Sequence, residues 1–284
     1  MNEPDRHIDC LAPVRIRVFF GANAMGNTAV CHAVEHRPDL NYLLANFPAH
    51  ETHCFIWSAA IEHDDAHVLI VQGGRAVEFC GHGLLACAFW WLQRFGKLPT
   101  LHTDKARFRT LIDGDRVLFG VAPFSLTHTH ADCARDWFDT APSEVLLGDA
   151  RNSYALCLWP RGIDIALIKN RPETIALQPR AIVMTQSDEA TSKRELFSPL
   201  KFDMRYLAPQ YGNAEDSATG SAAAVALSFW RERWQCARGD RFEITQRSPG
   251  GGEIIGKADS DVIWIGGRTD FVPSPGGRGE TAVR

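Results

Sequence analysis

Polar and apolar residues alternate in short runs along most of the chain, and only two apolar runs are long. Arg15 and Arg17 interrupt the apolar residues between Val14 and Phe20, as in a half-buried strand. The long runs, Leu84 to Phe95 and Ala222 to Trp234, predict two buried helices. Many short strands with few long helices favour an α+β fold whose sheets are mostly antiparallel.

Other segments carry weaker patterns. Residues 29–36 and 143–147 each predict a short helix, whereas the apolar residues of 163–168 predict a strand. Three short strands are expected over 100–122, with Asp113-Gly114-Asp115 as the hairpin turn between the last two.

A polar segment with glycines and titratable side chains precedes each long helix. Glu-Phe-Cys-Gly-His-Gly occupies 78–83, and Glu-Asp-Ser-Ala-Thr-Gly-Ser-Ala occupies 215–222. Thr219 or Ser221 is expected to cap its helix, because a hydroxyl there accepts a bond from a free backbone N–H. The other free N–H groups and the helix dipole favour an anion. Both segments are therefore interpreted as parts of a site.

The two segments lie about half the chain length apart, at Gly81 and Gly220. Glycine at these positions lets another group approach the backbone closely. The spacing predicts two similar lobes, 13–124 and 141–270, each of which presents one helix N-terminus to a shared cleft.

Composition excludes several classes of protein. The net charge is −4, so the basic surface of a nucleic-acid-binding protein is not expected. No apolar run approaches the roughly 20 residues of a membrane span, and residues 1–13 lack the apolar segment of a signal peptide. We therefore expect a cytoplasmic protein without membrane or nucleic-acid partners, with flexible tails at 1–12 and 273–284. Its eight cysteines form no C-x-x-C pair, which favours free thiols.

Several segments, in chain order, resemble motifs of the PhzF-like (phenazine-biosynthesis isomerase) family. Gly26-Asn27-Thr28-Ala29-Val30 is similar to G-N-P-x-A-V, and Glu51-Thr52 with Phe55 resembles E-T-x-F. Cys80-Gly81-His82-Gly83 resembles C-G-H-A-T, and residues 215–222 resemble E-D-P-x-T-G-S-A. Asp203 to Pro209 looks like the strand that precedes the last motif. The similar segments span residues 16–266.

This resemblance implies a diaminopimelate-epimerase-like fold, in which two pseudo-symmetric lobes each wrap strands around a central helix. It implies a small anionic substrate in the cleft, no metal and no organic cofactor, and we expect a homodimer. In the family a glutamate moves a proton between carbon atoms of a small carboxylic acid.

The resemblance also assigns residues. Glu51 takes the acid/base position, and His82 and Asp216 assist it. A nearby Asp216 would raise the pKa of Glu51 towards neutrality. The segment that contains Glu51 is one residue longer than the family motif. The substrate-binding positions are Asn27, Cys80, Gly81, Gly83, Thr219, Gly220 and Ser221.

Other functions stay open at this point. Ser217 and Gly83-Leu84 depart from the family motifs, which leaves room for a non-catalytic protein that binds small acids. Cys80-Gly81-His82-Gly83 also resembles the proline-racemase motif with a catalytic cysteine, but the matching segment offers Asp216 and no second thiol. A dinucleotide fingerprint at Gly81-x-Gly83-x-x-Ala86 with Asp104 is a weak alternative. His128, His130 and Cys133 have no second ligand pair, so a zinc site is not expected.

Overall fold

The computed structural model describes residues 12–58, 64–149, 154–187 and 198–273. Its strands form two sheets that are mostly antiparallel, as the sequence predicts. The predicted tails fall, apart from residues 12 and 273, outside the described residues.

Eight of the described strands form the first sheet. They are β1 (Val14–Val18), β2 (Asn27–Ala33), β3 (Thr52–Trp57), β4 (Asp65–Gln72), β5 (Arg75–Ala76), β6 (Thr100–His102), β7 (Arg107–Phe108) and β19 (Thr269–Phe271). Their order is β19-β1-β2-β3-β4-β6-β7, with β5 paired to β4. The pairs β2–β3 and β4–β6 are parallel.

The second sheet contains eleven strands among the described residues. They are β8 (Thr110–Asp113), β9 (Arg116–Val121), β10 (Leu126–Thr129), β11 (Glu144–Gly148), β12 (Tyr154–Leu158), β13 (Ala181–Gln186), β14 (Leu200–Ala208), β15 (Asn213–Glu215), β16 (Arg241–Gln246), β17 (Gly252–Ala258) and β18 (Ile263–Gly267). Their order is β10-β11-β12-β13-β14-β16-β17-β18-β9-β8, and β15 pairs with β14. The pairs β12–β13 and β14–β16 are parallel.

Each sheet encloses one long helix. The described helices are α1 (Leu40–Asn46), α2 (Gly81–Phe95), α3 (Pro172–Ile175) and α4 (Gly220–Arg233). α2 packs against β1 to β4, and α4 packs against β12, β13, β14, β17 and β18. Most residues of both helices are buried, which confirms the two predicted helices. Both begin slightly earlier than predicted, at the glycines Gly81 and Gly220.

The two sheets exchange strands. β8 and β9 belong to the first half of the chain, yet β9 pairs with β18 in the second sheet. β19 returns from the end of the chain to pair with β1 in the first sheet. The lobe limits 13–124 and 141–270 stay a prediction, and these exchanges tie the two sheets together at the level of backbone hydrogen bonds.

Three expectations from short segments are wrong. The helix expected over 29–36 is largely β2, which pairs with β1 on one side and β3 on the other. The helix expected over 143–147 is β11, which lies between β10 and β12. Pairing on both edges outweighs the weak helical pattern. The strand expected over 163–168 is a series of turns instead, and two of its carbonyl groups accept hydrogen bonds from Arg205.

Among the helices of the described ranges, none is both long enough and apolar enough to cross a membrane.

Candidate active site

The N-termini of the two long helices meet. A Cβ atom placed on Gly81, the first residue of α2, would lie 2.8 Å from the Cα of Gly220, the first residue of α4. Such a close approach is possible because neither residue has a side chain. The structure thus brings together the two segments that share a sequence pattern.

Two aromatic rings pack against the start of α4. A Cβ atom on Gly220 would lie 3.1 Å from Cζ of Phe19 and 3.2 Å from Cζ of Phe119. Both rings are fully buried. Phe19 has a positive φ of 58°, a backbone state that costs a bulky residue about 1–3 kcal/mol. This backbone turn follows β1 and accompanies the placement of the ring on Gly220.

Neither helix start is capped by a side chain. Cys80 and Thr219 occupy the N-cap positions, and neither side chain bonds a backbone N–H of its helix. The expected capping by Thr219 is wrong, because its Oγ1 donates to Oδ2 of Asp216 at 2.6 Å. Ser221 is already the second residue of α4. The N–H groups of the first turn have no acceptor within their own helix and are suited to an anion.

His82, the second residue of α2, is a candidate proton donor. Its Nδ1 lies 3.5 Å from Sγ of Cys80, and its Nε2 lies 2.9 Å from Oγ1 of Thr52 on β3. Burial alone would lower the pKa of His82. The charge and hydrogen bond of Cys80, together with the charge of Asp216, outweigh burial and raise the pKa of His82 to about 9. The raised pKa favours the protonated imidazole of His82, which can donate a proton.

Asp216 is held by side chains from both sheets. Nδ2 of Asn27 on β2 donates to Oδ1 of Asp216 at 2.9 Å and to the carbonyl of Ala218 at 2.8 Å. Nε2 of Gln246 on β16 donates to the backbone carbonyl of Asp216 at 2.5 Å, and its Oε1 accepts from the N–H of Thr219 at 2.7 Å. The carboxylate of Asp216 is therefore fixed before any substrate arrives. Sequence reasoning missed Gln246, which lies well beyond the motif in the chain.

A buried ion pair supports the same loop. Arg205 on β14 is 6% exposed, and its Nε and Nη2 bind the two carboxylate oxygens of Glu215 at 2.7 and 2.8 Å. Its Nη1 donates to the carbonyl groups of Ile165 and Ile168 at 2.9 and 2.7 Å. Because Glu215 directly precedes Asp216, this pair anchors the backbone that carries Asp216.

Tyrosines on the second sheet add to the site, and sequence reasoning missed them. Tyr154 hydrogen-bonds Ser221, and burial raises the pKa of Tyr154 more than this bond lowers it. The ring of Tyr206 lies 6.2 Å from that of Tyr154. Burial, with smaller effects from Tyr154 and Asp216, raises the pKa of Tyr206. Both hydroxyl groups thus keep their protons at neutral pH. For Tyr206, its place in the strand expected from Asp203 to Pro209 was the available signal.

A cation–π contact joins Arg75 of the first sheet to Tyr211, which follows β14 of the second sheet. The guanidinium carbon of Arg75 on β5 lies 4.8 Å from the ring centroid of Tyr211, within the range of a cation–π contact.

Glu51 lies on the opposite face of the first sheet. Its Oε1 accepts from Nη2 of Arg15 at 2.7 Å, and its Oε2 lies 3.4 Å from Nε2 of His53. The ring of His53 packs 4.9 Å from that of Phe47, directly after α1. Alternate residues of a strand face opposite sides, so Thr52 faces α2 whereas Glu51 and His53 face α1.

The raised pKa expected for Glu51 is wrong. The hydrogen bond from Arg15 lowers the pKa of Glu51, and this effect exceeds that of burial. In the E-T-x-F motif the glutamate precedes phenylalanine by three residues, and here that position belongs to Thr52, three residues before Phe55. A shift of one residue turns a side chain to the other face of a strand. The catalytic role of Glu51 stays a prediction.

Most of the other predicted site residues do converge. Those assembled around the two helix starts are Asn27, Cys80, Gly81, His82, Asp216, Thr219, Gly220 and Ser221. Gly83 differs, because a Cβ atom there would meet Ile70, Cys54 and Cys80 at 3.0–3.3 Å. The space beside Gly83 therefore faces the first lobe's interior.

Known proteins share this arrangement of sheets and helices. Residues 151–254 match the model of the phenazine biosynthesis-like protein family, PhzC-PhzF. A PhzF-family protein of Enterococcus faecalis superposes with a TM-score of 0.72 at 16% identity, over 92% of this chain and 96% of that one. The resemblance to the PhzF-like family is confirmed. A phenazine biosynthesis-like domain-containing protein of Bos taurus is 26% identical over 206 residues, which are 64% of this chain and 70% of the relative.

An epimerase with a bound ligand also has a similar fold. A hydroxyproline epimerase from Agrobacterium vitis, with trans-4-hydroxy-L-proline bound, superposes with a TM-score of 0.53 at 12% identity, over 92% of this chain and 90% of that one. The predicted diaminopimelate-epimerase-like α+β fold is thus confirmed.

Proposed function

We propose that this protein is an isomerase that moves a proton between carbon atoms of a small carboxylic acid, without a metal or organic cofactor. One observation carries the proposal. Two uncapped helix N-termini touch at Gly81 and Gly220. One of them carries His82, whose pKa is raised, and the loop before the other carries Asp216.

The helix N-termini bind the acid. The carboxylate of the substrate accepts hydrogen bonds from the free N–H groups at the starts of α2 and α4. Each helix terminus contributes about 0.3–2 kcal/mol to an anion. The same donors stabilise the negative charge that develops when the substrate loses a proton, which is the larger requirement for this kind of reaction.

Asp216 and His82 then carry the proton. A carboxylate oxygen of Asp216 accepts the proton as the C–H bond breaks, and the electron pair spreads into the conjugated carboxylate of the substrate. The His82 imidazolium donates its proton to a second carbon and becomes neutral. Proton transfer from Asp216 to His82 through solvent restores both groups. The two residues approach from different lobes, as an acid and a base on two sides of one molecule require.

The acid/base assignment is tested with a library of small acids in deuterated water. Mass spectrometry reports deuterium uptake, with wild type compared to the Asp216→Asn, His82→Gln and Glu51→Gln variants. We expect uptake in wild type, loss in the first two variants and retention in Glu51→Gln. Glu243→Gln, a surface carboxylate paired with Lys201, is the matched control. Loss of uptake in Glu51→Gln with retention in Asp216→Asn would return the base to Glu51.

Glu51 faces away from the two helix starts, and this favours a second candidate function. In it, the protein binds small acids at the same N-termini and catalyses no reaction. In that case an acid raises the melting temperature of wild type, and no deuterium enters it at any enzyme concentration. A cysteine-dependent reaction is distinguished by Cys80→Ser, which would abolish uptake if the Cys80 thiolate takes the proton from carbon.

A further inference from the structure

Three cysteines meet in the core of the first lobe, outside the acid-binding site. Cys31 and Cys54 are direct register partners on the parallel strands β2 and β3, and Cys87 lies on α2, which packs over them. All three are fully buried, and their Sγ atoms lie within 4.8 Å of one another. The Cys31 sulfur is hydrogen-bonded with both other thiols.

All three potential metal ligands are sulfur atoms, which are soft ligands. Within the described ranges, these three residues are the group of His, Cys, Asp or Glu side chains close enough together to hold an ion, and all three ligand atoms are sulfur. Sulfur ligands select copper(I) and other soft ions, whereas magnesium and calcium require oxygen. A zinc site would need a fourth ligand for its tetrahedron. Three sulfurs around one ion, with bonds of about 2.3 Å, lie about 4 Å apart. Small side-chain rotations therefore suffice.

We propose that Cys31, Cys54 and Cys87 form a buried site for one copper(I) ion. The ligands stand on two paired strands and a packed helix, so the rigid core positions them before the ion binds. Each thiol that ligates copper(I) as thiolate releases its proton to solvent, and neither copper nor sulfur changes oxidation state. Binding therefore tightens as pH rises.

Gly83 lies between the acid-binding site and these cysteines. The space that a side chain at position 83 would fill is bordered by Sγ of Cys54 at 3.1 Å and Sγ of Cys80 at 3.3 Å. Cys80 stands at the start of α2 in the site, and Cys54 belongs to the cluster. Gly83 thus brings the cluster close to the start of α2, with the side chain of Ile70 packed against the same position.

The competing explanation is that the cysteines are small apolar residues that fill the core. Anaerobic titration of the reduced protein with copper(I), in competition with the chelator bicinchoninate, separates the two. We expect wild type to retain one copper(I) and the variants Cys54→Ala and Cys87→Ala to lose it to the chelator. Cys157→Ala, a fully buried cysteine of the other lobe, and Cys133→Ser, an exposed one, are the matched controls and should retain it.

X-ray absorption of the copper-loaded wild type keeps the test independent of variant folding. A shell of three sulfur atoms supports the site, whereas nitrogen or oxygen ligands would place copper on surface histidines or carboxylates. Loss of copper to the chelator from wild type, at the concentration that strips a Cys31→Ala/Cys54→Ala/Cys87→Ala variant, would overturn the proposal. Neither result depends on whether the protein is an isomerase.

Discussion

A single methyl group at the contact between the helix starts should damage both stability and chemistry. In Gly81→Ala, the new Cβ would lie 2.8 Å from Cα of Gly220 and 3.1 Å from the backbone nitrogen of Ser221. Non-bonded carbon atoms prefer separations of about 3.5–4.0 Å. The deficit is therefore about 0.7–1.2 Å, and backbone atoms cannot relieve it by rotating a side chain. The two helix starts must move apart.

The separation of the two helix starts determines how much stability and activity Gly81→Ala should lose. Overpacking of a filled core costs about 1–3 kcal/mol, which corresponds to a fall in melting temperature of about 2–10 °C for a chain of this size. A misplacement of about 1 Å costs on the order of 100-fold in catalytic rate. We expect losses of these sizes in Gly81→Ala, measured by thermal unfolding and by the rate of deuterium uptake.

Gly83→Ala is the matched control in the same helix. Its Cβ would meet side-chain atoms of Ile70, Cys54 and Cys80 at 3.0–3.3 Å, and these side chains can adjust. We expect a smaller loss of stability and little separation of the helix starts. Unfolding temperature and deuterium uptake of Gly81→Ala equal to those of wild type would refute the reasoning about the Gly81–Gly220 contact.

Further perturbations test the groups around this contact. Because the pKa of His82 is raised, protonated His82 contributes fully to the free energy of unfolding below about pH 6.5, and this contribution is lost as pH rises through about 9. In urea titrations at several pH values, His82→Gln should flatten this loss of stability with pH. An unchanged pH profile would exclude His82 as the cause of the loss. Thr52→Val removes the hydrogen-bond partner of His82 Nε2, and it should lower the free energy of unfolding by about 1 kcal/mol and slow deuterium uptake. An unaffected uptake rate would show that Thr52 does not support His82 as the proton donor. Arg205→Met leaves the carboxylate of Glu215 unpaired and should lower the free energy of unfolding by about 3–5 kcal/mol, measured by chemical denaturation. The double variant Arg205→Met/Glu215→Leu should recover part of this loss. A loss below about 1 kcal/mol in Arg205→Met would show that the ion pair contributes little to stability.

The part of the site that follows from local pattern could be predicted from the sequence. Glycine and titratable residues before a long apolar run mark a helix start, and the repetition of this pattern predicted that Gly81 and Gly220 share one cleft. The α+β class followed from the many short runs. These features depend on residues close together in the chain.

The rest depends on contacts between distant segments. Glu51 and Thr52 differ by one residue, and only the register of β3 decides which of them faces His82. The segment 29–36 carries a helical pattern, but its pairing with both neighbouring strands makes it β2. Gln246 reaches the site through the pairing of β14 with β16, which no local pattern indicates.

The most direct test of the anion-binding site is a titration of isotopically labelled protein with a small carboxylic acid from the library, followed by backbone amide NMR. We predict saturable shifts at the N–H groups of residues 81–83 and 220–222, at one common dissociation constant, with none at Glu51. Shifts centred on Arg15 and Glu51, with unchanged amides at both helix starts, would contradict it.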